Sequence, residues 1–181
     1  MIATILAAFH DDPAWHHMTA GDFATAAPLF AETLFDARVG LGSIWVTEDL
    51  LGTALWEKKD GSGNAVGEEL WARFDTRVAP AVSERIHAYD AALAAVGPQP
   101  PYWYLGVLAT HPSAQGRGYA QAVMAPVFAI AEAGGLDCWL ETSKPRNTDF
   151  YERRGFTERI AVDIPDGPAT WWMRRPAPTA R

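Results

Sequence analysis

The sequence predicts an α/β fold built as one domain over residues 1–181. A length of 181 residues suits a single domain. Hydrophobic residues at 49% and charged residues at 20% supply a sizeable core. After a Gly-Pro-rich break at residues 97–101, strand, helix, strand, helix and strand patterns follow in order. This alternation is typical of an α/β unit.

The first half of the chain predicts helices around one hairpin. Apolar periodicity and capping signals indicate the helices, and short apolar runs joined by turn residues indicate the strands. Asp22 is a candidate helix cap, Asp11-Asp12-Pro13 a break after the first helix, and Pro80 a break inside the last. The predicted helices cover residues 1–9, 22–39 and 68–96, and the predicted strands cover residues 43–47 and 51–56.

The second half predicts a more regular alternation. Tyr102–Thr110 is an apolar and aromatic run typical of a central strand. A Gly-Gly pair ends the helix after the glycine loop, and a Pro-Asp-Gly-Pro turn joins the last two strands. The predicted elements are a loop at 111–118, helices at 119–133 and 150–154, and strands at 102–110, 136–141, 160–163 and 170–173.

Composition excludes several classes of protein. A net charge of −7 argues against a nucleic-acid partner, because such binding draws on clustered Lys and Arg. Cys138 is the single cysteine, so an intrachain disulfide and a four-cysteine zinc site are excluded. No run approaches the roughly 18 apolar residues of a membrane span, and Met1-Ile-Ala-Thr lacks a basic signal-peptide start. We expect a cytoplasmic protein without membrane contact and without a metal.

Gln115-Gly-Arg-Gly-Tyr-Ala120 is the sharpest local signal, lying between an apolar strand and a helix. Glycines let the backbone approach a ligand closely and adopt positive φ. The unpaired N–H groups of a helix's first turn, together with the helix dipole, bind anions such as a pyrophosphate. The alternative is a plain glycine-rich turn. The motif is neither a Walker loop nor a complete Rossmann fingerprint.

Two side chains are candidates for proton transfer. Glu141 ends a predicted strand, where active-site residues of open α/β sheets emerge, and could take a proton from an amine. The alternative is a solvated strand-end acid. Tyr151, just after that strand, carries a phenol whose pKa suits protonation of a leaving thiolate. The alternative is a core tyrosine paired with Phe150.

Three motifs resemble the GNAT acetyltransferase superfamily: Leu105-Gly-Val-Leu-Ala-Thr-His-Pro112, Gln115–Ala120, and Asn147…Phe150-Tyr-Glu-Arg-Arg-Gly-Phe156. They cover residues 100–156. A narrower similarity, in Leu140–Asn147, Phe150–Phe156 and Ile164–Trp171, is to the puromycin N-acetyltransferase type. The resemblance implies a mixed, mostly antiparallel twisted sheet with a splayed central parallel strand pair and helices on both faces.

The resemblance also implies an activity and its residues. Acetyl-CoA would donate its acetyl group directly to an amine, through a tetrahedral intermediate and without an acyl-enzyme. Glu141 matches the general base and Tyr151 the general acid. Backbone groups of the splayed strand would hold the pantetheine arm, those of the glycine loop the pyrophosphate, and one side-chain amide the same arm. The implied acetyl-CoA-binding residues are Leu108, Ala109, Thr110, Gln115, Gly116, Arg117, Gly118, Tyr119, Ala120, Gln121 and Asn147.

Two departures from the family pattern narrow these expectations. Family members begin with a strand before the first helix, whereas this chain starts almost inside the helix. Either that strand is absent or the sequence lacks an N-terminal extension. If the chain is complete, the sheet edge near the N-terminus is exposed or covered by another subunit, and we expect a homodimer because exposed edges invite pairing. Asp12 stands where puromycin-type enzymes have tyrosine, which argues against puromycin as the acceptor. We expect a small-molecule amine as the acceptor. The alternatives are a protein N-terminus or lysine, and an acyl-CoA-binding sensor without turnover.

Overall fold

The structure, a computed structural model, describes residues 1–63 and 65–178 and contains a six-stranded mixed sheet between helices. The helices are α1 (Ile2–Phe9), α2 (Pro13–Met18), α3 (Phe23–Val39), α4 (Ala65–Asp75), α5 (Pro80–Val96), α6 (Tyr119–Ala133) and α7 (Pro145–Glu152). The strands are β1 (Ile44–Val46), β2 (Gly52–Lys59), β3 (Tyr102–Thr110), β4 (Cys138–Thr142), β5 (Glu158–Val162) and β6 (Thr170–Arg175). The spatial order of the strands is β1-β2-β3-β4-β6-β5.

The central strands β3 and β4 are parallel and pair only at their beginnings. Their register runs from Trp103 opposite Cys138 to Leu105 opposite Leu140. Beyond that point β3 continues to Thr110 along β2, and β4 continues to Thr142 along β6. All other neighbouring strands are antiparallel. The sheet therefore splays open at its middle, as the resemblance implied.

A β-bulge at Gly106 changes which way β3 points its side chains. On β2, Leu55 pairs with Val107 and the next residue, Trp56, pairs with Leu105, so Gly106 is the extra residue. Before the bulge, Tyr104 faces the layer of α1–α5; after it, Leu108 faces the layer of α6 and α7. Even-numbered residues of β3 thus face one helical layer before the bulge and the other layer after it, at the point where the sheet splays.

Each face of the sheet carries its own core. On one face, buried residues of α1–α5 pack with Leu55 and Val107. On the other, α6 and α7 pack against Trp56, which is 0% exposed, and against Leu140. These layers confirm the prediction of an α/β fold with helices on both faces. None of the described helices is both long and apolar enough to cross a membrane.

Most predicted elements are present, with differences at their ends. The strand over 102–110 and the helix over 119–133 have the predicted bounds, and Asp22 caps α3 by accepting from the Thr25 N–H at 3.3 Å. The prediction missed α2, because Pro13 begins a helix capped by Asp12 as well as ending the previous one. The helix predicted at 150–154 begins instead at Pro145, for the same reason. Strand β4 begins at Cys138 rather than at residue 136.

Candidate active site

Two cavities flank the splayed strands. The loop cavity, of about 620 Å³, is lined by the glycine loop, the end of β3 and α7. The aromatic cavity, of about 470 Å³, lies on the α1–α5 face of the sheet. Its aromatic lining consists of Trp15, Phe30, Trp71, Tyr89, Tyr102, Tyr104 and Trp172.

The loop cavity brings together most of the residues expected to bind acetyl-CoA. Nine of the predicted residues line it: Leu108, Thr110, Gln115, Gly116, Gly118, Tyr119, Ala120, Gln121 and Asn147. Ala109 does not, because strand alternation turns its side chain into the opposite core, where it is 0% exposed. The exposed Arg117 also lies outside the lining and stacks over Tyr119 at 5.3 Å.

The glycine loop has the backbone that the motif predicted. Gly116 and Gly118 have φ of 76° and 84°, a region that side chains with a Cβ rarely adopt. Gly118 is also the N-cap of α6, and no side chain caps this helix. The first-turn N–H groups of α6 therefore face the loop cavity with the positive end of the helix dipole, which is the arrangement that binds phosphate groups.

Three cationic side chains at the loop cavity were not predicted as site residues. Lys144, Arg146 and Arg154 all line it. Asp11 binds Lys144 at 2.5 Å and Arg146 at 2.8 Å, which fixes both cations beside α7. The Lys-Pro-Arg run after β4 marks two of these cations in the sequence. Their ion pairs with Asp11 could not be predicted, because they join residues more than 130 positions apart.

Tyr151 lies in α7 and lines the loop cavity. Its ring packs against Phe150 and Phe156 with centroid separations of 5.2 and 5.7 Å, so the core-packing interpretation describes the ring correctly. Burial raises the pKa of its phenol, and the charge of Glu141 raises it further. The phenol therefore keeps its proton throughout the physiological range and can donate it.

Glu141 faces the aromatic cavity from β4. It is the first β4 residue beyond the last pair with β3, so it stands where the sheet opens. Its Oε1 accepts a hydrogen bond of 2.9 Å from the Tyr104 hydroxyl, whereas the buried Oε2 has no partner among the described residues. Burial raises the pKa of this carboxyl to about 7, and the Tyr104 hydrogen bond opposes the rise. Glu141 is therefore not a solvated strand-end acid.

An ion-pair network lies beside Glu141 and was missed by sequence reasoning. Glu57 binds Arg38 at 3.2 Å and Lys59 at 2.6 Å, and all three residues line the aromatic cavity. Gly106 makes room for this network, because a Cβ there would lie 3.0 Å from Arg38 Nη2. Nothing local in the sequence joins a residue of α3 to two residues of β2.

Asp90 reaches the aromatic cavity from α5. Incomplete hydration at the cavity wall raises the pKa of its carboxyl to about 6, while the charges of His87, Lys59 and Arg38 oppose the rise. With a pKa of about 6 the carboxyl is ionised above pH 7, and Asp90 is solvent-exposed while lining the cavity, so a ligand can reach it.

Asp12 has a structural position rather than a place in the cavity lining. It is buried and caps α2, accepting from the N–H groups of Ala14 at 3.0 Å and Trp15 at 3.2 Å. Through this cap it fixes the helix from which Trp15 and Met18 enter the aromatic cavity. The loop before α2 therefore lies next to this cavity, and its role at an acceptor site stays a prediction.

Several single side chains near the site have structural positions. Cys138 is buried, and His111 is a turn residue whose Nδ1 accepts from the Ser113 N–H at 3.3 Å. Trp172 is buried and Trp171 less so, as expected of neighbouring residues in a strand. Within residues 1–63 and 65–178 no group of three or more His, Cys, Asp or Glu side chains could hold a metal ion.

A mixed sheet that splays between central parallel strands, with a glycine loop on one side and a buried carboxyl on the other, is the architecture of an acetyltransferase. The family model described as Acetyltransferase (GNAT) family matches residues 25–156. The chain belongs to this family, which confirms the resemblance read from the motifs. The narrower likeness to the puromycin N-acetyltransferase type stays a prediction.

Sequence and structural relatives agree with this assignment. The chain is 27% identical over 150 residues to a mycothiol acetyltransferase of Beutenbergia cavernae, covering 81% of this chain and 41% of that protein. A Schizosaccharomyces pombe protein described as an uncharacterized N-acetyltransferase is 33% identical over 60 residues, covering 33% of this chain and 24% of its own. The chain thus spans less than half the length of either curated relative.

Solved structures share the fold. A Corynebacterium glutamicum protein described as histone acetyltransferase HPA2 and related acetyltransferase superposes with a TM-score of 0.69 at 22% identity, covering 99% of this chain and 91% of that one. Arylalkylamine N-acetyltransferase 2 of Aedes aegypti superposes with a TM-score of 0.65 at 10% identity, covering 97% and 92%. At these identities the likeness establishes the fold alone.

Proposed function

We propose that the protein transfers the acetyl group of acetyl-CoA to a primary amine of a small molecule. The observation that carries this proposal is the environment of Glu141. Its carboxyl has a pKa of about 7, stands at the opening between β3 and β4, and faces a cavity lined by aromatic side chains. A general base works best when its pKa lies near the working pH.

The residues of the loop cavity fit acetyl-CoA, which supplies the activated acetyl thioester. The N-terminus of α6, capped by Gly118, suits the pyrophosphate. Lys144, Arg146 and Arg154 line the same cavity and outnumber the one carboxylate, Asp11, that pairs with the first two, so net positive charge remains there. Beyond Leu105, β3 has no pairing with β4, so its backbone groups are open to a ligand arm on that side. Asn147 lines the same cavity.

The chemistry moves protons at the nitrogen and at the sulfur, on opposite sides of the splayed strands. Glu141 takes one proton from the incoming ammonium, directly or through a water, and leaves a nucleophilic amine. The amine nitrogen bonds to the acetyl carbon to give a tetrahedral intermediate, which loses the second nitrogen proton to solvent as the carbon–sulfur bond breaks. Tyr151, whose raised pKa keeps the phenol protonated until then, gives its proton to the departing thiolate and is reprotonated from solvent. The two groups thus have separate roles, set by the two cavities that they line.

The dimensions of the aromatic cavity favour a small acceptor over a protein segment. Its volume of about 470 Å³ falls within the range of small-molecule sites. Side chains from α2, α3, α4 and α5 surround it. Acetylation of a protein N-terminus or lysine is the alternative, and an acceptor screen separates the two.

A non-catalytic acyl-CoA sensor would need the loop cavity but neither proton-transfer group. Burying the Glu141 carboxyl without a partner for Oε2 is costly. A sensor gains nothing from that cost, whereas an acetyltransferase uses the carboxyl as its base.

The direct test is a thiol-release assay with acetyl-CoA and a panel of amines that includes puromycin, a lysine peptide and a peptide with a free N-terminus. We expect release with small amines and a mass-spectrometric product acetylated on nitrogen. Turnover only with peptides would replace the proposal by the protein-acetylation alternative. Tight acetyl-CoA binding without turnover on any acceptor would favour the sensor.

The assembly that we propose is a homodimer. Strand β1 is three residues long and lies at the edge of the sheet, and Val39, Leu41 and Val46 near it are 54, 51 and 44% exposed. Open edges with apolar neighbours invite pairing. Small-angle scattering at micromolar concentration should give the mass of two chains, and the mass of one chain would contradict the proposal.

A further inference from the structure

The charges that line the aromatic cavity specify the acceptor further than the proposed function does, which requires only a primary amine. This inference rests on the proposed function. The lining includes four carboxylates and two cations, namely Glu57, Glu68, Asp90 and Glu141 against Arg38 and Lys59. With all six groups ionised, the cavity has a net charge of −2 before any ligand enters.

The two cations of the cavity are already partnered. Arg38 and Lys59 both bind the carboxylate of Glu57, one at each oxygen. Arg38 is only 5% exposed, and its Nη1 also donates to the Leu34 carbonyl at 3.0 Å. Neither cation is placed to neutralise a second carboxylate by direct contact.

The remaining carboxylates are available to a ligand. Glu141 faces the cavity, and its buried Oε2 has no partner within the described residues. Asp90 and Glu68 form no ion pair in the part of the chain that the structure describes. A singly charged amine at Glu141 leaves the cavity with one excess negative charge, whereas a doubly charged acceptor leaves none.

The aromatic side chains of the cavity indicate what kind of spacer joins the two positive groups of the ligand. Tyr102, Tyr104 and Trp172 line the cavity together with Asp90 and Glu141. Such rings pack against methylene or aromatic groups and attract cations at their faces. An apolar segment with a positive group at each end therefore complements the lining along its length.

We infer that the acceptor is an amine carrying a second positively charged group, joined to the reacting nitrogen by an apolar or aromatic spacer, and that Asp90 binds this second charge. Asp90 is thus a specificity-determining residue. It acts on binding of the acceptor and leaves the proton transfers to Glu141 and Tyr151.

The test compares α,ω-diaminoalkanes of increasing length with n-alkylamines of the same carbon number. Wild-type protein, Asp90→Asn and the control Glu84→Gln are assayed at pH 8. Glu84 is exposed on the same helix and does not line the cavity, so its variant removes a nearby charge without touching the site. Binding of each amine to protein saturated with CoA is measured in parallel by calorimetry, which does not depend on turnover.

We expect kcat/KM for the best diamine to exceed that of its matched monoamine by about tenfold in wild type and in Glu84→Gln. This ratio should fall close to the statistical advantage of two equivalent amines in Asp90→Asn. Equal use of monoamines and diamines by wild type, or an unchanged preference in Asp90→Asn, would overturn the inference and leave the proposed function standing. Diamine binding that depends on Asp90, without turnover, would support the inference and remove the proposed function.

Discussion

The two cavities differ in how the chain builds them. The loop cavity draws most of its lining from residues 108–121 and 144–154, and its anion site is made of backbone N–H groups. The aromatic cavity collects side chains from four helices and four strands scattered between Trp15 and Trp172. The loop cavity, which is the proposed donor side, is thus fixed by local backbone geometry, whereas the aromatic cavity, which is the proposed acceptor side, is fixed by tertiary packing. On this proposal, acceptor specificity can change by substitution of side chains without disturbing the donor side.

The largest expected effect is the loss of acetyl-CoA binding at the loop cavity, with the aromatic cavity left unchanged. Gly118→Asp places a negative charge at the N-terminus of α6, where a phosphate group would lie. Saturating acetyl-CoA should raise the melting temperature of the wild type and leave that of Gly118→Asp unchanged, corresponding to an affinity loss of about 100-fold or more.

Gly118→Asn is the matched control, because it must adopt the same positive φ as Gly118→Asp and has nearly the same volume without the charge. Asn and Asp both tolerate the left-handed region. The asparagine variant should keep most of the acetyl-CoA shift. An aspartate variant that binds acetyl-CoA like the wild type would remove the basis for placing the pyrophosphate at α6.

The next effect is a loss of catalytic rate without a loss of acetyl-CoA binding. Tyr151→Phe removes one hydroxyl and keeps the ring packed against Phe150 and Phe156. The rate with saturating substrates should fall by roughly 10²–10⁴-fold if general acid catalysis is lost. Melting temperature and the acetyl-CoA shift should stay close to those of the wild type. A near-normal rate would show that a water or another residue protonates the thiolate.

A smaller effect is expected in the aromatic cavity, on the pKa of Glu141. The Tyr104 hydroxyl lowers the pKa of Glu141 by its hydrogen bond, so Tyr104→Phe should raise that pKa further. The ascending limb of kcat/KM against pH should then move to higher pH by about one unit. Tyr102→Phe is the control, since Tyr102 lines the same cavity while the Glu141 hydrogen bond comes from Tyr104. Identical shifts in both variants would contradict a specific role for Tyr104.

Local signals explain how much of the molecule could be predicted. The bounds of β3 and α6 follow from an apolar run and from Gly118 and Gly134, which act through their immediate neighbours. Strand-end position, side-chain chemistry and the family resemblance predicted Glu141 and Tyr151 as proton-transfer residues, and the structure adds which cavity each one faces.

The acceptor side could not be predicted because its contacts are long-range. The hydrogen bond between Tyr104 and Glu141 joins residues 37 positions apart, and no sequence pattern marked the bulge at Gly106 next to it. Arg38 is buried against Glu57, a residue 19 positions away, and no local pattern marks that pair. Helix α2 was missed because Pro13 signals both an end and a beginning.

The raised pKa of Glu141 also makes the folding stability of the protein depend on pH. Its folded pKa of about 7 exceeds the ordinary value of 4.5, so the ionised form is the one that folding disfavours. Stability from this group is complete below pH 4.5 and is lost as the pH rises through 7. Glu141→Gln should therefore raise the melting temperature at pH 8 and change it little at pH 4.5, in scanning calorimetry at both values. A lower melting temperature at pH 8 would contradict the raised pKa.

The central claim, that Glu141 is the base for acetyl transfer to an amine, is tested most directly by the pH dependence of kcat/KM in wild type and Glu141→Gln. The wild type should show an ascending limb with an apparent pKa near 7, well below the value of about 10 for the free amine. Glu141→Gln should lose that limb, be most impaired near neutral pH, and recover partly as higher pH supplies free amine. A variant with the wild-type profile and the wild-type rate would contradict the account.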